Sequence, residues 1–178
     1  MAKLKLEELN RISVEEFKNK EKNPVILVLD NVRSLNNVGS AFRTADAFLV
    51  QKIYLCGITG TPPNKEIHKT ALGATESVDW EYVSSTVELV RKLKSEGWKI
   101  ISLEQTDNSV MLQDFEFQKQ DKLCFIFGNE VFGVDDEVIN ESHLTLEIPQ
   151  FGTKHSLNIS VSIGMVIWDY FSKTTKTK

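Results

Sequence analysis

The first regular apolar pattern in the chain is Val25-Ile26-Leu27-Val28-Leu29, which ends on the carboxylate of Asp30. An unbroken β-branched and aliphatic run predicts a strand buried on both faces, as in a parallel sheet covered by helices. Lys52 to Cys56, Lys99 to Leu103 and Lys122 to Phe127 repeat the pattern, and Asp79 to Val83 and Leu144 to Ile148 read as shorter strands. Between these runs the spacing becomes helical. Ala41, Phe42, Ala45 and Phe48 predict a helix over 38–48, and Val87, Val90 and Leu93 predict one over 86–95 that Gly97 closes. Residues 64–72 and 135–141 read as short helices, and 156–171 as a long, largely buried one. Ahead of the first strand, Ser13-Val14-Glu15-Glu16 has the form of a capping box, so a short helix should end before Pro24.

Strands alternating with helices predict an α/β fold with a mainly parallel sheet flanked by helices. The 178 residues suit one core, divided as an N-terminal helical extension (1–24), a main domain (25–172) and a basic tail (173–178). No apolar run approaches the ~20 residues that span a bilayer. The chain also starts without the apolar stretch of a secretion signal, so a cytoplasmic protein is expected. Cys56 and Cys124 stand alone in apolar runs without CxxC spacing; they read as small buried hydrophobes, and no metal is expected.

Ligands of parallel sheets bind outside the carboxyl ends of the strands, which directs attention to the segments after Asp30, Phe127 and Ile148. The first, Asn31 to Ala45, carries Asn37, placed to cap the following helix, and Arg43, whose planar fork suits bidentate contact with phosphate. The second, Phe127-Gly128-Asn129-Glu130-Val131-Phe132-Gly133, sets an acid between two glycines that let the backbone turn sharply and approach a ligand. It matches neither a Walker A loop nor GxGxxG. The third runs from Ile148 through Gly152 to Ser156-Leu157-Asn158-Ile159-Ser160, with Asn158 and Ser160 expected beside buried surface and Ser156 as a local cap.

Taken together, Asn-x-Gly-x-x-x-Arg-Thr-Ala (37–45), Gly-x-Glu-x-x-Gly (128–133) and Ile-Pro…Gly…Ser-Leu-Asn-x-Ser-Val (148–161) resemble the three motifs of the SpoU (TrmH-like) class of SPOUT RNA 2′-O-ribose methyltransferases. The resemblance covers residues 25–171. It implies a C-terminal trefoil knot, an exception to the unknotted rule, that holds S-adenosylmethionine, and a homodimer whose active site crosses the subunit interface. The catalytic set it implies is Arg43, Asn37, Glu130, Ser156 and Asn158, with Gly128, Gly133, Ile148 and Leu157 at the cofactor. Gln150 departs from the pattern, since many relatives carry Met there.

The resemblance implies an RNA substrate, tRNA in preference to rRNA because the chain resembles the minimal members of the class. A net charge of −4 runs against an RNA partner, but binding depends on how charge is distributed. Lys3, Lys5, Arg11, Lys18, Lys20 and Lys22 gather near the start, among glutamates, and Lys173, Lys176 and Lys178 at the end. Three other readings are an RNA-binding protein of the same fold without transfer, a flavodoxin-like nucleotide-binding domain, and a related methyltransferase that modifies a base, against which the Asn37/Arg43 pattern favours ribose. The flavodoxin-like reading calls for a phosphate loop rich in Gly, Ser or Thr, whereas the loop after Asp30 is rich in Asn and Arg.

Overall fold

The structure is a computed structural model that describes residues 3–175. Its centre is β1 (Asn23–Asp30), hydrogen-bonded in parallel on one side to β2 (Val50–Cys56) and on the other to the distant β6 (Leu123–Phe127). With β3 (Trp80–Val83), β4 (Lys99–Leu103), β5 (Val110–Met111) and β7 (Leu144–Glu147), these strands form a seven-stranded parallel sheet in the order β3-β2-β1-β6-β4-β7-β5.

Successive side chains of a strand point to opposite faces, so a central apolar strand feeds two cores. Val25, Leu27 and Leu29 face the larger one, together with Phe42, Ile53, Phe125, Ile167 and Tyr170. Ile26 and Val28 face the smaller one, with Val90, Leu93, Ile100 and Cys124. Each fully buried aliphatic side chain contributes about 1.5–3 kcal/mol, which explains why this run admits no polar residue before Asp30.

Helices cover both faces. α1 (Val14–Asn19), α2 (Leu35–Ala47), α3 (Lys65–Ala71), α4 (Ala74–Ser77) and α7 (Ile159–Thr174) contribute residues to the larger core; α5 (Thr86–Ser95) and α6 (Asp136–Glu141) contribute to the smaller one. The extension is tied to the rest: the Ser13/Glu16 capping box starts α1, and Phe17 is buried in the larger core. Lys176 and Lys178 of the basic tail lie outside the described residues.

Three expectations need correction. Asn37 does not cap α2. The helix starts earlier because the Ser34 hydroxyl accepts from the Asn37 N–H at 3.3 Å, which places Asn37 inside the first turn. Nor does Ser156 begin α7; Asn158 is its cap, with Oδ1 accepting from the Ser160 N–H at 2.8 Å, and Asn158 is exposed. Finally, α7 buries only one side. Ile163, Val166, Ile167 and Tyr170 point inward, while Val161, Met165 and Trp168, spaced i, i+4, i+7, are exposed.

Candidate active site at the carboxyl ends of the strands

The loops leaving β1, β4, β6 and β7 meet at one edge of the sheet, held by side chains that satisfy backbone groups across them. Asp30, 1% exposed, accepts from Thr86 Oγ1 at 2.5 Å and Asn31 Nδ2 at 3.0 Å, and its other oxygen from the Asp135 N–H at 3.2 Å. A buried carboxylate is tolerated only when its lone pairs are used, and here they anchor segments entering α5 and α6.

The loop after β6 closes on itself. Asn129 and Gly133 exchange backbone hydrogen bonds of 2.8 and 2.9 Å. The Asn129 side-chain oxygen accepts from the Val131 and Phe132 N–H groups, and its Nδ2 donates to the Asn31 carbonyl at 2.8 Å. A Cβ on Gly128 would sit 2.1 Å from backbone atoms of Gly133 and Val134, and Gly133 holds φ +73°, a conformation that favours glycine. Both glycines of the motif are therefore demanded by backbone shape. Glu104, after β4, accepts from the Val134 N–H at 3.0 Å and fixes the far side of the turn.

Glu130 projects from this turn to the start of α2. Its carboxylate accepts from the Arg33 and Ser34 N–H groups, both at 2.9 Å, and from Asn37 Nδ2 at 3.2 Å. Partial burial works against ionisation, but the backbone donors and the Asn37 amide together outweigh it, so the pKa is lowered. Negative charge near a helix N-terminus is also favoured by the helix dipole. Glu130 thus clamps the first motif to the second.

A cleft of about 530 Å³ opens between these loops and the segment after β7. Leu103, Phe127, Leu146, Ile148 and Leu157 supply apolar wall, and Glu104, Thr106, Gln150 and Ser156 supply polar groups. A cleft of this size that combines an apolar wall with many polar groups suits a small, polar organic ligand. Of the expected residues, Gly128, Glu130, Gly133, Ile148, Ser156 and Leu157 line it. Asn37 reaches it through Glu130. Asn158, engaged in capping α7, and Arg43, exposed on α2, are not in its wall. Arg43 makes no hydrogen bond or ion pair among the described residues.

The sequence reading passed over Asn129, Glu104 and the Asp30–Thr86 pair. Asn129 stood in plain view between motif residues, and its polarity beside a strand end was the available signal. Glu104 and Thr86 gave none, because their role depends on which loops the fold brings together.

A model of the SpoU rRNA methylase family matches residues 24–168. The chain is 30% identical over 159 residues to the 23S rRNA (guanosine-2′-O-)-methyltransferase RlmB of Neisseria meningitidis, covering 89% of this chain and 62% of that protein. It is 27% identical over 156 residues to the tRNA (guanosine(18)-2′-O)-methyltransferase of Aquifex aeolicus, covering 88% and 72%. The chain therefore spans less than two thirds of the Neisseria protein. Among solved structures, the AdoMet-bound rRNA methyltransferase from Sinorhizobium meliloti superposes with a TM-score of 0.80 at 23% identity, covering 90% of this chain and 61% of that one. The likeness is of fold, the knotted SPOUT arrangement that the sequence motifs implied.

Proposed function

The chain belongs to the SpoU rRNA methylase family, and on that premise we propose that it methylates a ribose 2′-hydroxyl of RNA with S-adenosylmethionine as donor. The observation that carries this reading is the convergence of all three motif segments at one edge of the sheet, with Glu130 joining the first to the second.

The cleft fits the donor. Its apolar wall around Leu103, Phe127 and Ile148 suits an adenine ring, and the Gly128–Gly133 turn and Leu157 also border it. When bound, the cofactor supplies an electrophilic methyl group. The protein's part is to position a 2′-oxygen in line with it, since alignment of reactants alone can supply several kcal/mol of the barrier. Gly128, Gly133, Ile148 and Leu157 hold the cofactor, and Ser156 and Asn158 border the ribose. Glu130 and Asn37 keep the first motif in register with the cleft. A guanidinium with a pKa above ~12 is protonated at neutral pH and is a poor base, so Arg43 serves in one of two ways: as a base only if strongly perturbed, or by orienting an adjoining phosphate that takes the proton.

Arg43 is exposed on α2, outside the wall of its own chain's cleft, and the exposed face of α7 carries Val161, Met165 and Trp168. α2 packs beside α7. A homodimer formed through this side covers the apolar face and delivers the partner subunit's Arg43 to the cleft. For the substrate, tRNA is the first reading and rRNA the second, since the relatives include both kinds: 27% identity to the Aquifex tRNA enzyme and 30% to the Neisseria rRNA enzyme.

A transfer assay with labelled S-adenosylmethionine and separate pools of unmodified tRNA and rRNA, followed by nucleoside analysis, tests the proposal. A labelled 2′-O-methylnucleoside from tRNA is expected. Label in a methylated base, or no label together with no cofactor binding by calorimetry, contradicts it.

A further inference from the structure

The cleft has an aromatic rim that neither the motifs nor the framework hydrogen bonds require. Phe132, at the tip of the turn after β6, lines the cleft and yet is 85% exposed. Phe151, between the cleft residue Gln150 and the loop of Gly152, is 97% exposed. Phe132 lends only its backbone N–H to the turn, donating it to Asn129 Oδ1. A phenyl ring left in water forgoes about 1.5–3 kcal/mol of burial, and two of them, one on the cleft wall and one next in sequence to the wall residue Gln150, mark a surface shaped for contact.

The charges around the rim narrow the partner. The cleft wall itself carries Glu104, Glu130, Asp136 and Glu147, and the cations Arg33 and Lys154 lie outside it. Arg33, whose backbone N–H is held by Glu130, is exposed, as are Lys154 and His155, three and four residues after Phe151. The side chains of Arg33 and Lys154 make no hydrogen bond or ion pair among the described residues. Exposed aromatics interleaved with free cations are the surface chemistry by which proteins hold unpaired nucleotides, rings stacking on bases and cations meeting phosphates. Covalent geometry fixes where such a platform must stand. The base hangs from C1′, the neighbour of the C2′ that bears the reacting hydroxyl, so a ribose entering the cleft leaves its base at the mouth.

We propose that Phe132 and Phe151 form a stacking platform for the base of the target nucleotide, which is held unpaired and out of its helix while its ribose enters the cleft. The inference rests on the RNA methyltransferase reading. It assigns to these rings recognition of an unstacked nucleotide, with Arg33 and Lys154 meeting the flanking phosphates.

The test measures three properties of the wild-type protein and of the Phe132→Ala, Phe151→Ala and double variants: affinity for bulk tRNA and for rRNA, affinity for S-adenosylmethionine, and mass in solution. Each single change is expected to weaken RNA binding about 5- to 150-fold, the range of one lost base–aromatic stack. Cofactor affinity and mass should stay as in wild type. Phe151→Trp should retain RNA affinity, whereas Phe151→Leu, apolar but not aromatic, should not. Unchanged RNA affinity in the double variant overturns the platform. So does full rescue by Leu, which would mean simple apolar packing, and so does a fall in mass, which would assign the rings to contact between copies of the chain. Wild-type protein that binds RNA with the same aromatic dependence but transfers no methyl leaves the platform standing and removes the enzymatic reading. Normal transfer with unaffected variants does the reverse.

Discussion

The two halves of α2 are built to different ends. At its start, Asn37 is buried and the incoming Arg33 and Ser34 N–H groups are taken up by Glu130, so the helix N-terminus is locked to the turn after β6. Six residues later, roughly 120° around the helix, Arg43 stands exposed and, among the described residues, unpaired, although its neighbour Phe42 is wholly buried. One half has its polar groups satisfied within the chain; the other presents a free cation. Framework and chemistry are thus separable in this molecule. What a single chain completes is the scaffold; Arg43 stands outside it and is the group the proposed function assigns to another molecule.

The contrast can be broken from either side. Phe42→Ala should cost about 3–5 kcal/mol of stability through the cavity it leaves in the larger core, read as a lower midpoint in urea with an unchanged slope. Arg43→Ala, one residue on, should leave that midpoint in place, because an unpaired surface side chain contributes within about 0.5 kcal/mol. Its turnover should nevertheless fall at least about 100-fold, near 2.7 kcal/mol of transition-state stabilisation. If Arg43→Ala destabilised the fold and Phe42→Ala did not, the separation would be wrong.

Glu130→Gln sharpens the comparison by loosening the clamp without removing a contact surface. About 1 kcal/mol of stability should be lost at neutral pH, the usual worth of a helix-start acceptor. The pH dependence has a defined sign. The folded-state pKa of Glu130 is lowered from 4.5, so its contribution is full above that value and disappears as the pH falls through the folded-state value. The gap between wild type and Glu130→Gln should therefore close in acid and stay constant above neutrality, as followed by thermal melts across pH. The smallest effect belongs to the core thiols. Burial pushes Cys56 up to about 12 and raises Cys124 as well, so neither should react with iodoacetamide at pH 8 while the protein stays folded.

Much of this architecture was legible from one sequence because buried parallel strands leave a one-dimensional trace. Val25 to Leu29 is short and rich in β-branched residues, as a buried strand is, and the Ser13/Glu16 box announced its helix. The strand β5 left no comparable trace, since Val110 and Met111 hold an edge position through pairing with β7 alone. Caps were misassigned where several candidates compete. Ser34 and Asn37 both suit a helix start, as do Ser156 and Asn158, and only the tertiary pull of Glu130 on Asn37 decides the first case. The exposed stripe of α7 was hidden for another reason. Its apolar residues run around most of the helix, a composition that reads as burial, and the sheet covers only one side of it.

If the partner subunit's Arg43 completes the cleft of each chain, two inactive variants should restore activity when co-expressed: Arg43→Ala, which keeps an intact cleft, and Leu157→Trp, which blocks the cleft but keeps Arg43. Random pairing into two-fold dimers makes half of them mixed, each with one complete site, so labelled methyl transfer should return to about a quarter of the wild-type level. Transfer that stays at the level of the separate variants would contradict the claim and return Arg43 to its own chain's cleft or out of the chemistry.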